Sequence, residues 1–559
     1  MASSALPSIS VLQGLSALST LSSSYDALVA IFSDLDSLSV LSELSATSSA
    51  SIALARSIDK ELGSTVALVP CADISGGRLV LSPTGSLDDD TDDVRKLADA
   101  VKAGVSRAIQ AGSSLPAVIF AFSPPDAGAL APDADYSRWI EVCILAALDA
   151  SYVTLVVREH RLAKAAQQEK AVVEKLDSLA LVFSQNIDQE QISRAIKRTT
   201  AIERGRRLAV DMGYGDPERM TPYNCAELIQ QAVSGVAGIT FEEIKDLEVI
   251  KREYPLMYNS ARASFSEKHT WPCVVKLEYR SPEPDSVREH LYLVGKGVTY
   301  DTGGITLKIG ASMRGMSRDK LGACGVAGFV LATGAMQETS ISLSCILAFE
   351  RNSIGPNSLL PDEVVISRAG VRVLINNTDA EGRLVMTDPV AECRERIMAA
   401  RRAGDTTPAA IYTAATLTGH VIRAYGWYGA TVANGPARRA GYDRRLAQAG
   451  LAYGNPFENS IMRREDHAFV APRTDREDVY QSNSQPSILT DRGHQYPAAF
   501  IIKASGLDKH SLKASDGLAI PFVHVDIAGS AEDGIEPGLG LCGITGSPVA
   551  TFAGAFWSP

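Results

Sequence analysis

The chain has 559 residues, 45% hydrophobic and 21% charged, with a formal net charge of −11. That length exceeds one ordinary core and predicts two domains, and the composition is that of a globular protein with apolar material to fill both. The acidic balance repels phosphate backbones, so nucleic acid is not an expected partner, and no apolar run reaches the roughly 18 residues of a membrane span.

Residues 1–24 are Ser-rich and of low complexity, and read as a partly disordered leader. No Lys or Arg precedes Arg56, and Asp26, Asp34, Asp36 and Glu43 spoil the composition of a transit peptide, so a cytoplasmic location is expected. From 25 to about 62, Leu28, Ile31, Phe32, Leu35, Leu38 and Leu41 recur at helical spacing and predict one or two helices. Apolar runs at 65–69, 78–81, 117–122 and 152–157 read as strands, alternating with helices at 92–111 and 136–150. That alternation predicts an N-terminal α/β domain over 25–190 with a mostly parallel sheet.

The stretch 185–210 reads as a long charged connecting helix, ended by Gly213, Gly215 and Pro217. The second domain, 191–559, is again α/β. Its strands are expected at 274–279, 291–298, 342–349, 409–413, 500–502 and 524–527, with helices over 320–337 and 388–403. Arg394, Arg396, Arg401 and Arg402 fit a solvated helix face, and Gly538, Gly540, Gly543 and Gly546 suggest tight loops. The eight cysteines form no CxxC pair and no zinc-finger spacing, which predicts buried free thiols and a metal site, if any, of oxygen and nitrogen ligands.

Two segments concentrate chemistry. In the first, an apolar strand runs into Gly295-Lys296-Gly297, followed by Asp301, Gly303-Gly304, Lys308 and Asp319. Glycines allow close backbone approach, and ligands of open α/β sheets bind beyond the carboxyl ends of strands. The plain structural reading is a salt-bridge network at a loop. An aspartic-protease dyad needs a second Asp-Thr/Ser-Gly beside Asp301-Thr302-Gly303, which the chain lacks, and no GxxxxGK[ST] phosphate loop is present.

In the second segment Asn376, Asn377 and Thr378 lead into Asp379-Ala380-Glu381-Gly382-Arg383-Leu384. In extended chain, positions i and i+2 share a side, so Asp379, Glu381 and Arg383 are expected to project together. A cation between the carboxylates would offset their repulsion, and the Arg383 fork suits a planar anion. An exposed charged loop is the alternative. Together the segments supply four carboxylates, enough to hold two divalent cations that activate a water.

The octapeptide Asn377–Leu384 and the pattern Gly-Lys-Gly-x-Thr-x-Asp-x-Gly-Gly-x-x-x-Lys at 295–308 closely resemble the leucyl aminopeptidase family, as do Ala415–Gly419 and His524–Gly529. The resemblance covers roughly 195–550. It implies a smaller N-terminal α/β domain, a larger C-terminal α/β catalytic domain with a central mixed sheet, a homohexamer, and hydrolysis of peptides from the N-terminus. It implies one metal on Lys296, Asp301, Asp319 and Glu381, and an exchangeable one on Asp301, Asp379 and Glu381, the ions being Zn²⁺, Mn²⁺ or Mg²⁺. It further implies a bridging water as nucleophile, Lys308 on the scissile carbonyl, and Arg383 holding a bicarbonate as proton acceptor.

Met316, Thr416, Gly419, Ala528 and Ala531 would line the substrate pocket, Ala531 standing where a larger Met can sit. Ser317-Arg318 and Lys320-Leu321-Gly322 around Asp319 depart from the family's usual Arg-Ala and Met-Gly-Gly. His524 reads as a satisfied core histidine, and contact of His420 with substrate is the less expected reading of that residue; neither resembles a metal ligand. A non-catalytic binding role and an aspartic endoprotease are the competing functions.

Overall fold

Short apolar runs bounded by turns set the first sheet. In the computed structural model, residues 4–12, 25–43, 46–125, 134–166, 173–184, 186–515, 518–532 and 543–559 are described. The chain divides into two compact units, the first running to Glu203 and taking in Leu451–Gly454 as well, the second beginning at Arg204. The first unit carries β1 (Ser8–Leu12), β2 (Ala27–Phe32), β3 (Ala67–Pro70), β4 (Arg78–Pro83), β5 (Pro116–Ala121) and β6 (Ser178–Phe183). Their order is β1-β6-β5-β2-β4-β3, all parallel except β3 against β4. The helix Arg95–Gln110 turns Leu97, Val101, Val105 and Ala108 inward at helical spacing. Gly104 lets it lie close to the sheet, since a Cβ there would sit 2.7 Å from Val29.

Three expectations fail in this unit. The helices predicted from residue 25 begin instead with strand β2, followed by a 3₁₀ turn at Ser37–Glu43 and a helix at Ala46–Ile58. β2 is buried at all positions, so its apolar run shows no alternation and mimics a helix face. The run at 152–157 is no strand: Tyr152 and Val153 are buried ahead of the helix Leu155–Ala165. Ser8–Leu12, inside the expected leader, is the edge strand β1, while residues 1–3 and 13–24 lie outside the described residues.

The second unit adds β7 (Ile239–Ile244), β8 (Cys273–Tyr279), β9 (Glu289–Asp301), β10 (Ile341–Asn352), β11 (Val364–Ile366), β12 (Arg372–Leu374), β13 (Ala409–Ala415), β14 (Gly429–Ala433), β15 (Phe457–Ser460), β16 (Val479–Tyr480) and β17 (Phe522–Asp526). Eight form a central mixed sheet in the order β15-β14-β17-β13-β9-β10-β8-β7, and β11-β12-β16 form a small separate one. β9 runs parallel to β10 and β13, and β13 parallel to β17. The carboxyl ends of β9, β13 and β17 therefore open on one edge, where ligands of such sheets bind.

The helix Leu321–Met336 is apolar all round and buried. It lies against the sheet through Gly322 and Gly295, whose added Cβ atoms would meet Ala414 O at 2.1 Å and Ala323 Cα at 2.5 Å. The helix Glu381–Arg402 contributes Leu384, Val385, Val390 and Ile397 to the main core. Residues 500–502, expected as a strand, belong to the helix Tyr496–Ala504; all its residues but Lys503 are buried, so it presents almost no polar face to betray its period. Gly543 and Gly546 adopt left-handed φ of +88° and +72°, whereas Gly538 and Gly540 lie outside the described residues. No single helix among the described residues is long and apolar enough to cross a membrane.

Candidate active site

The site begins at a fault in the sheet. β9 and β10 pair in step up to Val298/Glu350, then shift so that Asp301 meets Asn352. β9 thus carries one residue more than its neighbour, a bulge that re-aims the strand end. Asp301 emerges buried, its Oδ1 accepting from Asn352 Nδ2 at 2.8 Å and from Gly303 N at 2.8 Å. Gly303 turns the chain at φ +84°; a Cβ there would lie 2.5 Å from Thr306 O and 2.9 Å from Lys308 N. The turn returns Lys308 to the carboxylates, 2.9 Å from Asp301 Oδ2 and 2.5 Å from Asp379 Oδ1.

Lys296 stands earlier on β9 and is fully enclosed. Its Nζ lies 2.7 Å from Asp319 Oδ1, 3.0 Å from Glu381 Oε1 and 3.1 Å from Thr416 O. Gly382 makes the space: a Cβ would sit 2.7 Å from Lys296 Cε and 2.8 Å from its Nζ. Thr416, beyond β13, donates to Asp319 Oδ1 at 2.9 Å.

Asp379, Glu381 and Arg383 do not follow the extended-chain argument. Asp379 sits in a turn, and Glu381 opens the helix Glu381–Arg402. The turn is fixed by Gln481, whose Oε1 accepts from the amides of Asn376 and Asn377 at 3.0 Å each and whose Nε2 donates to Asn377 O and Ala380 O. Thr378 Oγ1 donates to Gly303 O at 2.7 Å, tying the two segments together. Arg383 Nη1 donates to Gln481 O, and its guanidinium lies 4.7 Å from the Tyr496 ring centre.

Asp301, Asp379 and Glu381 each offer an oxygen, all within 4.8 Å of one another. Burial, with Asp301 and the other carboxylates close by, lifts Asp379 to about 7 and raises Glu381 and Asp319 as well. Burial alone would depress Lys296 and Lys308, but the surrounding carboxylates outweigh it and hold both charged. Asp319 Oδ2 and Glu381 Oε2 are buried without a hydrogen-bond partner. A buried anionic oxygen left so is costly unless a cation meets it. Close carboxylates, orphaned oxygens and a hard donor set together fit divalent metal ions.

One pocket holds all seven of these charged residues together with Met316, Thr416, Gly419 and Ala528. Ala531 is buried and does not line it; Arg318 and Glu532 do. His420 is not among the lining residues. Its Nδ1 lies 2.7 Å from His494 Nδ1. His524 is wholly buried with Nδ1 on Thr413 Oγ1, but its Nε2 has no partner, so it is only half satisfied. Burial presses it down to about 3, which keeps it neutral. Seven cysteines are free and buried, and Cys542 lies outside the described residues.

Sequence reasoning missed Asn352, Gln481 and Tyr496. Only Asn352, a polar residue ending an apolar strand, left a signal.

Residues 207–553 match the model of the cytosol aminopeptidase family, catalytic domain. The chain is 36% identical over 460 residues to the Caenorhabditis elegans protein named "Putative aminopeptidase W07G4.4", covering 82% of each. In fold it is similar to the apo leucyl aminopeptidase of Trypanosoma cruzi, with a TM-score of 0.73 at 20% identity over 99% of this chain and 97% of that one. It is also similar to the bottromycin maturation enzyme BotP in complex with Mn, with a TM-score of 0.68 at 19% identity over 95% and 98% of the chains. With the catalytic-domain match spanning most of the chain and the carboxylate–lysine cluster at its centre, the protein belongs to the cytosol aminopeptidase family and is a metal-dependent peptide-bond hydrolase.

Proposed function

We propose that the protein releases N-terminal residues from peptides with two divalent ions, Zn²⁺, Mn²⁺ or Mg²⁺, and a bicarbonate at this site. The carrying observation is the trio Asp301, Asp379 and Glu381 within 4.8 Å, with Glu381 Oε2 and Asp319 Oδ2 buried and unpartnered. Lys296, Asp301, Asp319 and Glu381 would hold one ion, and Asp301, Asp379 and Glu381 the other. Bound there, the ions supply Lewis acidity toward water and the scissile carbonyl, and the bicarbonate a proton acceptor.

The chain's own groups do the rest. Lys296 must shed its proton to bind metal, because an ammonium has no lone pair. Lys308, held charged by Asp301 and Asp379, donates to the oxygen on which negative charge develops. Arg383, braced on Gln481 and Tyr496 with its Nε unpartnered, presents a fork for the bicarbonate. Met316, Thr416, Gly419 and Ala528, which line the pocket, receive the first residue. A homohexamer in the cytoplasm completes the proposal, with light scattering of the purified protein as its check.

The test is hydrolysis of aminoacyl reporters by metal-stripped protein, then with Zn²⁺, Mn²⁺, Mg²⁺ or Co²⁺ restored. Activity that vanishes on stripping and returns with metal supports the reading. Undiminished activity after stripping, or none with any ion, overturns it.

A further inference from the structure

Arg318 and Glu532 both line the pocket and meet in an ion pair, Nη1 to Oε2 at 2.6 Å. Arg318 ends the 3₁₀ turn Met316–Arg318, two residues past the pocket residue Met316 and directly before Asp319. Glu532 follows β17, four residues past the pocket residue Ala528. Their side chains are 34% and 32% exposed, so the pair lines the pocket while remaining partly open to solvent. Ala531, the residue before Glu532, is only 1% exposed and does not line the pocket, whereas both charged residues do.

We infer that the Arg318–Glu532 pair selects the first residue of the peptide, admitting neutral side chains and discriminating against charged ones. The inference rests on the aminopeptidase reading of the pocket. The paired charges present no net charge to an entering side chain. An acidic side chain gains from Arg318 only by competing with Glu532, and a basic one gains from Glu532 only by competing with Arg318. Removing either member leaves the other unpaired at the wall. Glu532→Ala then favours acidic first residues, and Arg318→Ala favours basic ones.

The test compares kcat/KM on reporters carrying Leu, Asp or Lys as first residue, and on Leu dipeptides varied at the second. The proteins are wild type, Arg318→Ala, Glu532→Ala and the swapped double variant Arg318→Glu/Glu532→Arg. The Asp/Leu ratio is expected to rise about fivefold in Glu532→Ala and the Lys/Leu ratio about fivefold in Arg318→Ala, the scale of a partly exposed pair. The swap is expected to return both ratios to wild type, which separates charge from damage to the turn before Asp319. Unchanged ratios in both single variants, or a change at the second residue alone, overturn the inference. If wild type hydrolyses no reporter, the aminopeptidase reading fails. Calorimetric binding of free Leu, Asp and Lys to the same four proteins then decides the pair's role by the same ratios.

Discussion

Asn352 Nδ2 donates to Asp301 Oδ1 at 2.8 Å because β9 gains one residue on β10 just before the two side chains meet. The same amide donates to Thr378 O at 3.1 Å, so one side chain locks the carboxylate of one segment to the backbone of the other. Partners that orient metal-binding carboxylates are worth about 10–100-fold in metal affinity. Asn352→Leu is therefore expected to weaken metal binding on that scale while leaving the circular dichroism spectrum unchanged. An unaltered metal titration would show that the bulge positions Asp301 unaided.

Glu381→Ala is expected to abolish turnover while the protein stays folded. Glu381 touches Lys296 and stands within the carboxylate trio, so no neighbour replaces its oxygen. Full activity in this variant, assayed with saturating metal, would rule out the proposed role.

Lys308→Ala is expected to lower kcat by about 10²–10³-fold with a small change in KM, as for loss of one donor to a developing oxyanion. Steady-state kinetics on a leucyl reporter reads the split. A rise in KM at constant kcat would assign Lys308 to substrate binding instead.

Gly382→Ala tests the space around Lys296. The new methyl would sit 2.7 Å from Lys296 Cε and 2.7 Å from Leu417 Cδ1, closer than side-chain carbons approach. The lysine is buried and held by Asp319, Glu381 and Thr416 O, so any shift draws it off these partners and weaker metal binding is expected from a folded protein. A metal titration superimposable on wild type would mean that the lysine relaxes without cost.

The pH dependence has a definite sign. Burial and the neighbouring Asp301 lift Asp379 to about 7 in the folded chain, from the ordinary carboxyl value of 3.8. A raised carboxyl contributes stability below its unfolded pKa and loses it as pH rises toward the folded value. Metal-stripped protein therefore loses stability from this group between about pH 4 and 7. His494 and His524, each pressed to about 3 from 6.5, act in the opposite direction, losing stability as pH falls from 6.5. Metal binding takes protons from the carboxyls and from Lys296, so the difference in Tm between loaded and stripped protein reports these ligands together. That difference is expected to grow as pH rises through about 7, since metal binds the deprotonated form. A difference independent of pH would contradict it.

The site was largely legible because its parts are local: Lys296, Asp301 and Lys308 lie in one fourteen-residue pattern, and Asp379, Glu381 and Arg383 in one octapeptide. The reason given for their convergence was wrong at Asp379–Arg383, where a turn and the first turn of a helix replace an extended strand. Gln481 was invisible because it serves the site through backbone contacts across about a hundred residues of chain. In the fold, two of the misread elements share one cause. β2 and the helix Tyr496–Ala504 are buried nearly throughout, and burial on all sides erases the polar–apolar rhythm that tells strand from helix. The helix Arg95–Gln110, with one wetter face, keeps that rhythm and matches the expectation over 92–111.

The placement of Ser8–Leu12 bears on how the protein is best produced. A shortened form starting at residue 25, the natural choice if the Ser-rich stretch were taken as dispensable, would delete β1 and strip β6 of its neighbour along Ser178–Val182. The amides and carbonyls so uncovered would form a fresh sticky rim on an apolar strand, ready to recruit other chains. Soluble yield is thus better served by leaving the first dozen residues in place than by trimming them.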